Sequence, residues 1–163
     1  MRRRARSTDT AEDGFTLVEV ITALAILGIV ALIAAPRFFG MSEFRARFFH
    51  DDVRSAVAHA HALAVASGCE VEFSISGSSF RLRQRSACTS GGFSAEVASP
   101  ATGQPPFGGT APQGVGLSAS VNPFRFDALG RVRDGAGNVT DVTLSVGGRS
   151  FAAVGETGFV HGL

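Results

Sequence analysis

Residues 15–36, FTLVEVITALAILGIVALIAAP, are apolar almost without interruption, and Glu19 is the one ionisable side chain among them. As a helix this run spans roughly 33 Å at about 1.5 Å per residue, close to one hydrocarbon core. The fourteen residues before it, MRRRARSTDTAEDG, are polar and without periodicity, and read as disordered. From Ser42 to Ala66 the pattern turns amphipathic. Phe44, Phe48, Val53, Val57, Ala60 and Ala64 recur at helical spacing, with Leu63 and Val65 beside them. Asp51, Asp52, Arg54 and His61 fall mostly on other faces. The expectation is one long helix with a transmembrane half and an amphipathic half. Pro36 would kink it and Gly68 would stop it.

Beyond Gly68 the period changes to two. Val71, Phe73 and Ile75 share one face of a predicted strand, Phe80 and Leu82 one face of the next, and Ser76–Ser79 lies between them. This predicts a β-hairpin whose polar side sets Glu70 and Glu72 opposite Arg81, Arg83 and Arg85. Residues 89–114, rich in Gly, Pro, Ser and Thr, read as a long variable loop. Strand-like runs return at 115–121, 124–127, 139–146 and 149–154, and a short final strand is expected at 156–160. The fold class is α+β, a long N-terminal helix packed on a C-terminal antiparallel β domain. The expected divisions are a leader at 1–14, a transmembrane helix at 15–39, an amphipathic helix at 40–68 and a β-rich domain at 69–163.

Charge sharpens this picture. All fifteen basic residues are Arg, and Arg2, Arg3, Arg4 and Arg6 crowd the first six positions. Three of the fourteen acids also precede Phe15, so eleven of each sign remain afterwards. A near-neutral chain is a poor general binder of nucleic acid, which needs several phosphates neutralised. Two cysteines, Cys69 and Cys88, are too few for the usual four-ligand metal set, and they bracket the predicted hairpin. A turn centred near residues 78–79 sets them face to face. In an oxidising extracytoplasmic compartment they are expected to form a disulfide, and two buried free thiols are the alternative. His59 and His61 point to different helix faces, and no HExxH pair or Gly-x-Ser-x-Gly elbow occurs. The expectation is a non-enzymatic protein without metal or cofactor. Gly108–Gly116 lacks the Lys and the strand-to-helix setting of a phosphate cradle, and Asn138-Val-Thr140 fits the glycosylation pattern by chance.

The segment Gly14-Phe-Thr-Leu-Val-Glu19 combines several physical features. The basic leader stays on the cytoplasmic side while the apolar helix inserts. Gly14 has no side chain to obstruct a membrane peptidase at the bond to Phe15. Cleavage there leaves a new amine on Phe15, and Glu19 lies one helical turn along the same face. A bare carboxylate within a membrane helix costs about 2–3 kcal/mol or more. A free amine, its own or a neighbouring subunit's, offsets that cost. An ordinary signal peptide or signal anchor is the alternative. Against it stand the acid at the start of the run and the weak cleavage context, Leu32 and Ile33 ahead of Ala34 and Ala35.

In these six residues the chain resembles the type IV prepilins, whose signature type II secretion pseudopilins share. The resemblance implies cleavage after Gly14 by the prepilin peptidase, N-methylation of Phe15 and an assembly role for Glu19. It implies the pilin fold, other pilins or pseudopilins as filament partners, and a single-pass location in the inner membrane with the C-terminal domain in the periplasm. Ala35-Pro-Arg-Phe-Phe39, Leu63–Cys69, Phe126–Val132 and Glu156–Val160 resemble the GspH/FimT-type minor pilins and pseudopilins. The first two segments look most like minor pilins of mannose-sensitive haemagglutinin (MSHA) pili. A minor subunit of a type IV pilus or type II secretion pseudopilus is the function implied. The alternative is a FimT-like minor pilin that takes up DNA, with Arg81, Arg83 and Arg85 as the nucleic-acid contact.

Overall fold

A computed structural model describes residues 15–39, 41–88 and 90–163, with the side chains of 32–39 and 41 outside that description. Two compact units result, one ending at Met41 and the other running from Ser42 to Leu163. The first contains α1, Leu17–Phe39. Its large apolar side chains from Leu17 to Val30 are exposed, because no described residue covers them. Among the described residues no helix is long and apolar enough to cross a membrane. The described side chains of α1 end at Ala31, whereas the apolar run in the sequence continues to Pro36. The backbone is helical through Pro36 as far as Phe39.

Helix α2, Met41–Ser67, lies in the second unit from Ser42 onward, and the described elements after it are all strands. Phe49, Val53, Ala56, Val57, Ala60 and Ala64 form the buried stripe of α2, at spacings of three and four. The sequence placed Phe44 and Phe48 on this stripe, and that expectation is corrected: they are 61% and 60% exposed, against 7% for Phe49. The two pack edge to face on one another, with ring centroids 4.4 Å apart. Gly68, at φ +67°, follows the last helical residue, a backbone angle that costs a side-chain-bearing residue more than glycine.

The strands form two antiparallel sheets. The larger runs β3-β2-β1-β6-β7, built from β1 Val71–Ser76, β2 Ser79–Ala87, β3 Ser90–Glu96, β6 Phe124–Phe126 and β7 Val132–Arg133. A further strand, β4 Gly108–Thr110, continues along β2 beyond β3 and pairs with Ser79–Arg81. The smaller sheet runs β10-β9-β8-β5, with β5 Leu117–Ala119, β8 Val142–Val146, β9 Arg149–Ala153 and β10 Val160–Gly162. Period-two alternation is visible in the burial itself, since Val71 and Phe73, Phe80 and Leu82, and Val142, Leu144 and Val146 all point inward. Helix α2 joins this core through Phe49 against Phe80 and His61 against Phe126. Phe73 lies between Phe80 and Phe124, stacked at 5.4 and 5.2 Å.

The loop expected at 89–114 is corrected, for β3 and β4 lie inside it. Strand β3 hides little: of its side chains only that of Phe93 is even partly buried. Backbone pairing to β2 holds it, and a strand without a buried face leaves no hydrophobic alternation to read. The final strand falls at Val160–Gly162, later than the expected 156–160, and the short β7 was not foreseen.

Candidate functional site

The N-terminal segment begins, within the described residues, at an exposed Phe15. Gly14 lies outside them. Thr16 caps α1: its Oγ1 accepts from the Glu19 backbone N–H at 3.3 Å, and its carbonyl accepts from the same group at 3.0 Å. Thr16-Leu-Val-Glu19 thus has the spacing of a capping box, a signal that the sequence reading passed over when it gave Glu19 to assembly alone. An acid in the first turn also meets the positive end of the helix dipole. Glu19 is exposed along with its apolar neighbours, available to a partner from outside the unit.

Cys69 and Cys88 form a disulfide. The hairpin turn is Gly77-Ser78, with Ser76 paired to Ser79, a register that by itself would set Cys69 opposite Ser86. An irregularity in the ladder makes up the difference. Glu70 accepts from Arg85 N–H at 2.9 Å and donates to the Cys88 carbonyl at 3.4 Å, so one residue faces a stretch of the other strand. Cys88 takes a left-handed φ of +52° there.

The three arginines of β2 share one face but not one partner. Arg81 Nη1 and Arg83 Nε both lie 3.7 Å from Glu96 Oε1 on β3. Arg85 Nε lies 3.1 Å from Glu70 Oε2, which Arg125 Nε approaches to 3.6 Å, and the Arg85 guanidinium also covers the Phe93 ring. The expected arrangement holds in part: Glu72 stands opposite Arg83 and Glu70 pairs with Arg85, while Glu96, which was not expected, approaches Arg81 and Arg83. Glu96 was missed because it sat in the segment read as loop. Burial raises the carboxyl pKa of Glu72, against the lowering pull of Arg83, Arg125 and Arg85.

A second polar centre lies within Phe126–Val132, at the turn that follows β6. Asp127 is buried, and its carboxylate accepts from Leu129 and Arg131 backbone N–H groups at 2.9 Å each. Arg131 Nε and Arg133 Nε donate to it at 2.9 and 2.8 Å. Its burial by itself would raise the pKa. Donation from Arg133 and Arg131, with the backbone bonds, outweighs that and holds the carboxyl below the ordinary value of 3.8. An Asp opening a tight turn that contains Gly130 is the signal that could have found it. That turn touches the one at Gly158, where an added Cβ would strike the Gly130 carbonyl and the His61 ring. The four histidines are dispersed, each against a Phe ring. Among the described residues no three His, Cys, Asp or Glu side chains converge as metal ligands.

Residues 10–35 match the family described as the prokaryotic N-terminal methylation motif. No curated protein matches the sequence. Among solved structures, the minor pseudopilin EpsH from the type 2 secretion system of Vibrio cholerae is similar in fold at a TM-score of 0.54 and 16% identity. That match covers 73% of this chain and 96% of EpsH. The type IV minor pilin FimU of Pseudomonas aeruginosa is similar at a TM-score of 0.51 and 12% identity, covering 76% of this chain and 89% of FimU.

Proposed function

We propose that this chain, type IV pilin-like in its N-terminal motif and its fold, is a minor pilin or pseudopilin of a type IV pilus or a type II secretion pseudopilus. The observation that carries the proposal is Gly14-Phe-Thr-Leu-Val-Glu19 at the head of an apolar helix, on a chain whose remaining residues take the pilin fold. In this proposal the prepilin peptidase removes residues 1–14 and Phe15 becomes the methylated N-terminus. Residues 15–39 anchor the chain in the inner membrane, with 40–163 in the periplasm. Glu19 then draws the subunit into the filament by pairing with the terminal amine of a neighbour. The exposed apolar length of α1 supports this, for it needs lipid or other helices to cover it. The division of the arginines between Glu70 and Glu96 favours assembly over DNA uptake, since it breaks the continuous row of cations that successive phosphates would need.

The test is the ratio of filament-bound to membrane-bound protein for wild type and Glu19→Ala, with the N-terminus of both sequenced. Both are expected to begin at methylated Phe15, because the variant leaves Gly14 untouched. Leaving a buried amine without its partner costs about 3 kcal/mol or more, so incorporation of Glu19→Ala is expected to fall at least about a hundredfold. Incorporation at the wild-type ratio would remove Glu19 from assembly. A mature start near Pro36 would replace the whole proposal with a secretory signal peptide.

A further inference from the structure

The outer face of the hairpin carries an open cleft of about 640 Å³ between β1, β2 and β4. Its size lies within the roughly 300–1,000 Å³ of small-ligand sites. Arg81 and Arg83 line it together with Ser74, Ser76, Ser79 and Thr110. Among the described residues no carboxylate lines it. Arg81 and Arg83 both approach one Glu96 oxygen, at 3.7 Å from each, an ion-pair distance beyond that of a hydrogen bond, and Arg83 also faces Glu72 across the β1–β2 ladder. Arg83 Nε is buried and finds no hydrogen-bond partner among the described residues. A guanidinium N–H so placed lacks the acceptor that a buried donor ordinarily finds. The hydroxyls add donors and acceptors, with Ser79 Oγ and Thr110 Oγ1 2.9 Å apart at the β2–β4 seam.

We infer that this cleft binds a compact acidic saccharide, a hydroxyl-bearing ring that carries one carboxylate or phosphate. The oxyanion sits on Arg81 and Arg83, whose planar forks suit either group. The ring hydroxyls exchange hydrogen bonds with the serines and Thr110. An extended polyanion fits less well. The third arginine of the row, Arg85, is drawn to Glu70 and over Phe93, so the strand offers two adjacent cations in a cleft rather than a track of three. None of its lining residues lies in α1 or α2, so the site stands apart from the Glu19 contact tested above.

The experiment is equilibrium titration of the full chain in detergent with glucose 6-phosphate and with glucuronate. Glucose, inorganic phosphate and a short DNA duplex serve as comparators. At least one of the two acidic sugars is expected to bind, and the one that does identifies the oxyanion. Glucose and inorganic phosphate should each bind about tenfold more weakly, because each lacks one half of the contacts. Arg81→Gln and Arg83→Gln should each weaken binding about tenfold, and Arg85→Gln should leave it within about twofold. An intact disulfide and unchanged amide exchange in β1 and β2 establish that the variants are folded. Absence of binding by both acidic sugars overturns the inference. So does glucose or inorganic phosphate binding equally well, or an equal loss with Arg85→Gln. Tight DNA binding that depends on all three arginines also overturns it, in favour of a phosphodiester track.

Discussion

Helices α1 and α2 are both rich in aliphatic residues, yet they meet opposite fates. From Leu17 to Val30 α1 presents Leu, Ile and Val side chains outward on every face. Helix α2 is more polar, and it hides Val53, Ala56, Val57, Ala60 and Ala64 completely. An amphipathic helix stabilises itself by burying its stripe on the sheets of its own chain. A helix that is apolar all round has no water-facing side, so its cover must come from outside. The C-terminal unit therefore carries its own means of stability in a Phe-rich core, a disulfide and a buried carboxylate held by two arginines. The N-terminal helix depends on its surroundings.

One pair of truncations should separate the two units most strongly. Phe73→Ala removes a ring that is wholly buried between Phe80 and Phe124, and it is expected to destabilise the C-terminal unit by about 3–5 kcal/mol. Leu24→Ala in α1 should change the same quantity by less than about 0.5 kcal/mol. With no Trp or Tyr in the chain, amide hydrogen exchange in β1 and β2 is the suitable measurement. A loss of protection from Leu24→Ala comparable with that from Phe73→Ala would show that the two units share one stability.

The disulfide sharpens the same contrast at a smaller scale. It closes a sequence separation of 19 residues within the C-terminal unit. In the chain-entropy account such a link is worth roughly 3 kcal/mol. Reduction, or Cys69→Ser with Cys88→Ser, is expected to lower protection across β1 and β2 by about that amount and to leave exchange in α1 unchanged. Two freely labelled thiols in unreduced, denatured protein would mean that the link does not form in the cell.

How much of this was legible in the sequence depended on whether side chains or backbone hold each element. The apolar run, the stop at Gly68 and the β1–β2 hairpin are written in side-chain periodicity, and they were read nearly in place. The stripe of α2 was misread at its start. Phe44 and Phe48 satisfy one another at a spacing of four, which mimics a core face, while the stripe begins at Phe49. Strands β3 and β4 were invisible because Ser90–Glu96 and Gly108–Thr110 contribute backbone bonds and almost no core. The cysteine pair was expected from facing positions, whereas the structure reaches it through an irregular ladder between Arg85 and Cys88. At the site, the three arginines were legible as a row. Their division was not, since it depends on Glu96 and Arg125, which only tertiary pairing brings near.

The smallest expected effect concerns Asp127, and it tests whether the C-terminal unit's self-sufficiency includes a polar tie. Its carboxylate is held in the charged form by Arg131, Arg133 and two backbone N–H groups, which keeps its pKa below the ordinary 3.8. A carboxyl whose folded pKa is depressed adds stability above its unfolded pKa and loses it as pH falls through the folded value. The wild type should therefore exceed Asp127→Asn by a constant margin at neutral pH, about 1–3 kcal/mol for charge-assisted bonds to a buried group. The margin should shrink below about pH 4, as the wild-type carboxyl takes up a proton and comes to resemble the amide. Glu72 acts with the opposite sign: its raised pKa means that protonation on acidification favours the folded state. Because both proteins retain Glu72, the difference between them isolates Asp127. Amide exchange in β6 and β7 at a series of pH values, corrected for intrinsic rates, supplies the measurement. A margin that stays constant down to pH 2 would show that Asp127 holds the turn through its shape and neutral hydrogen bonds alone, with its charge contributing nothing.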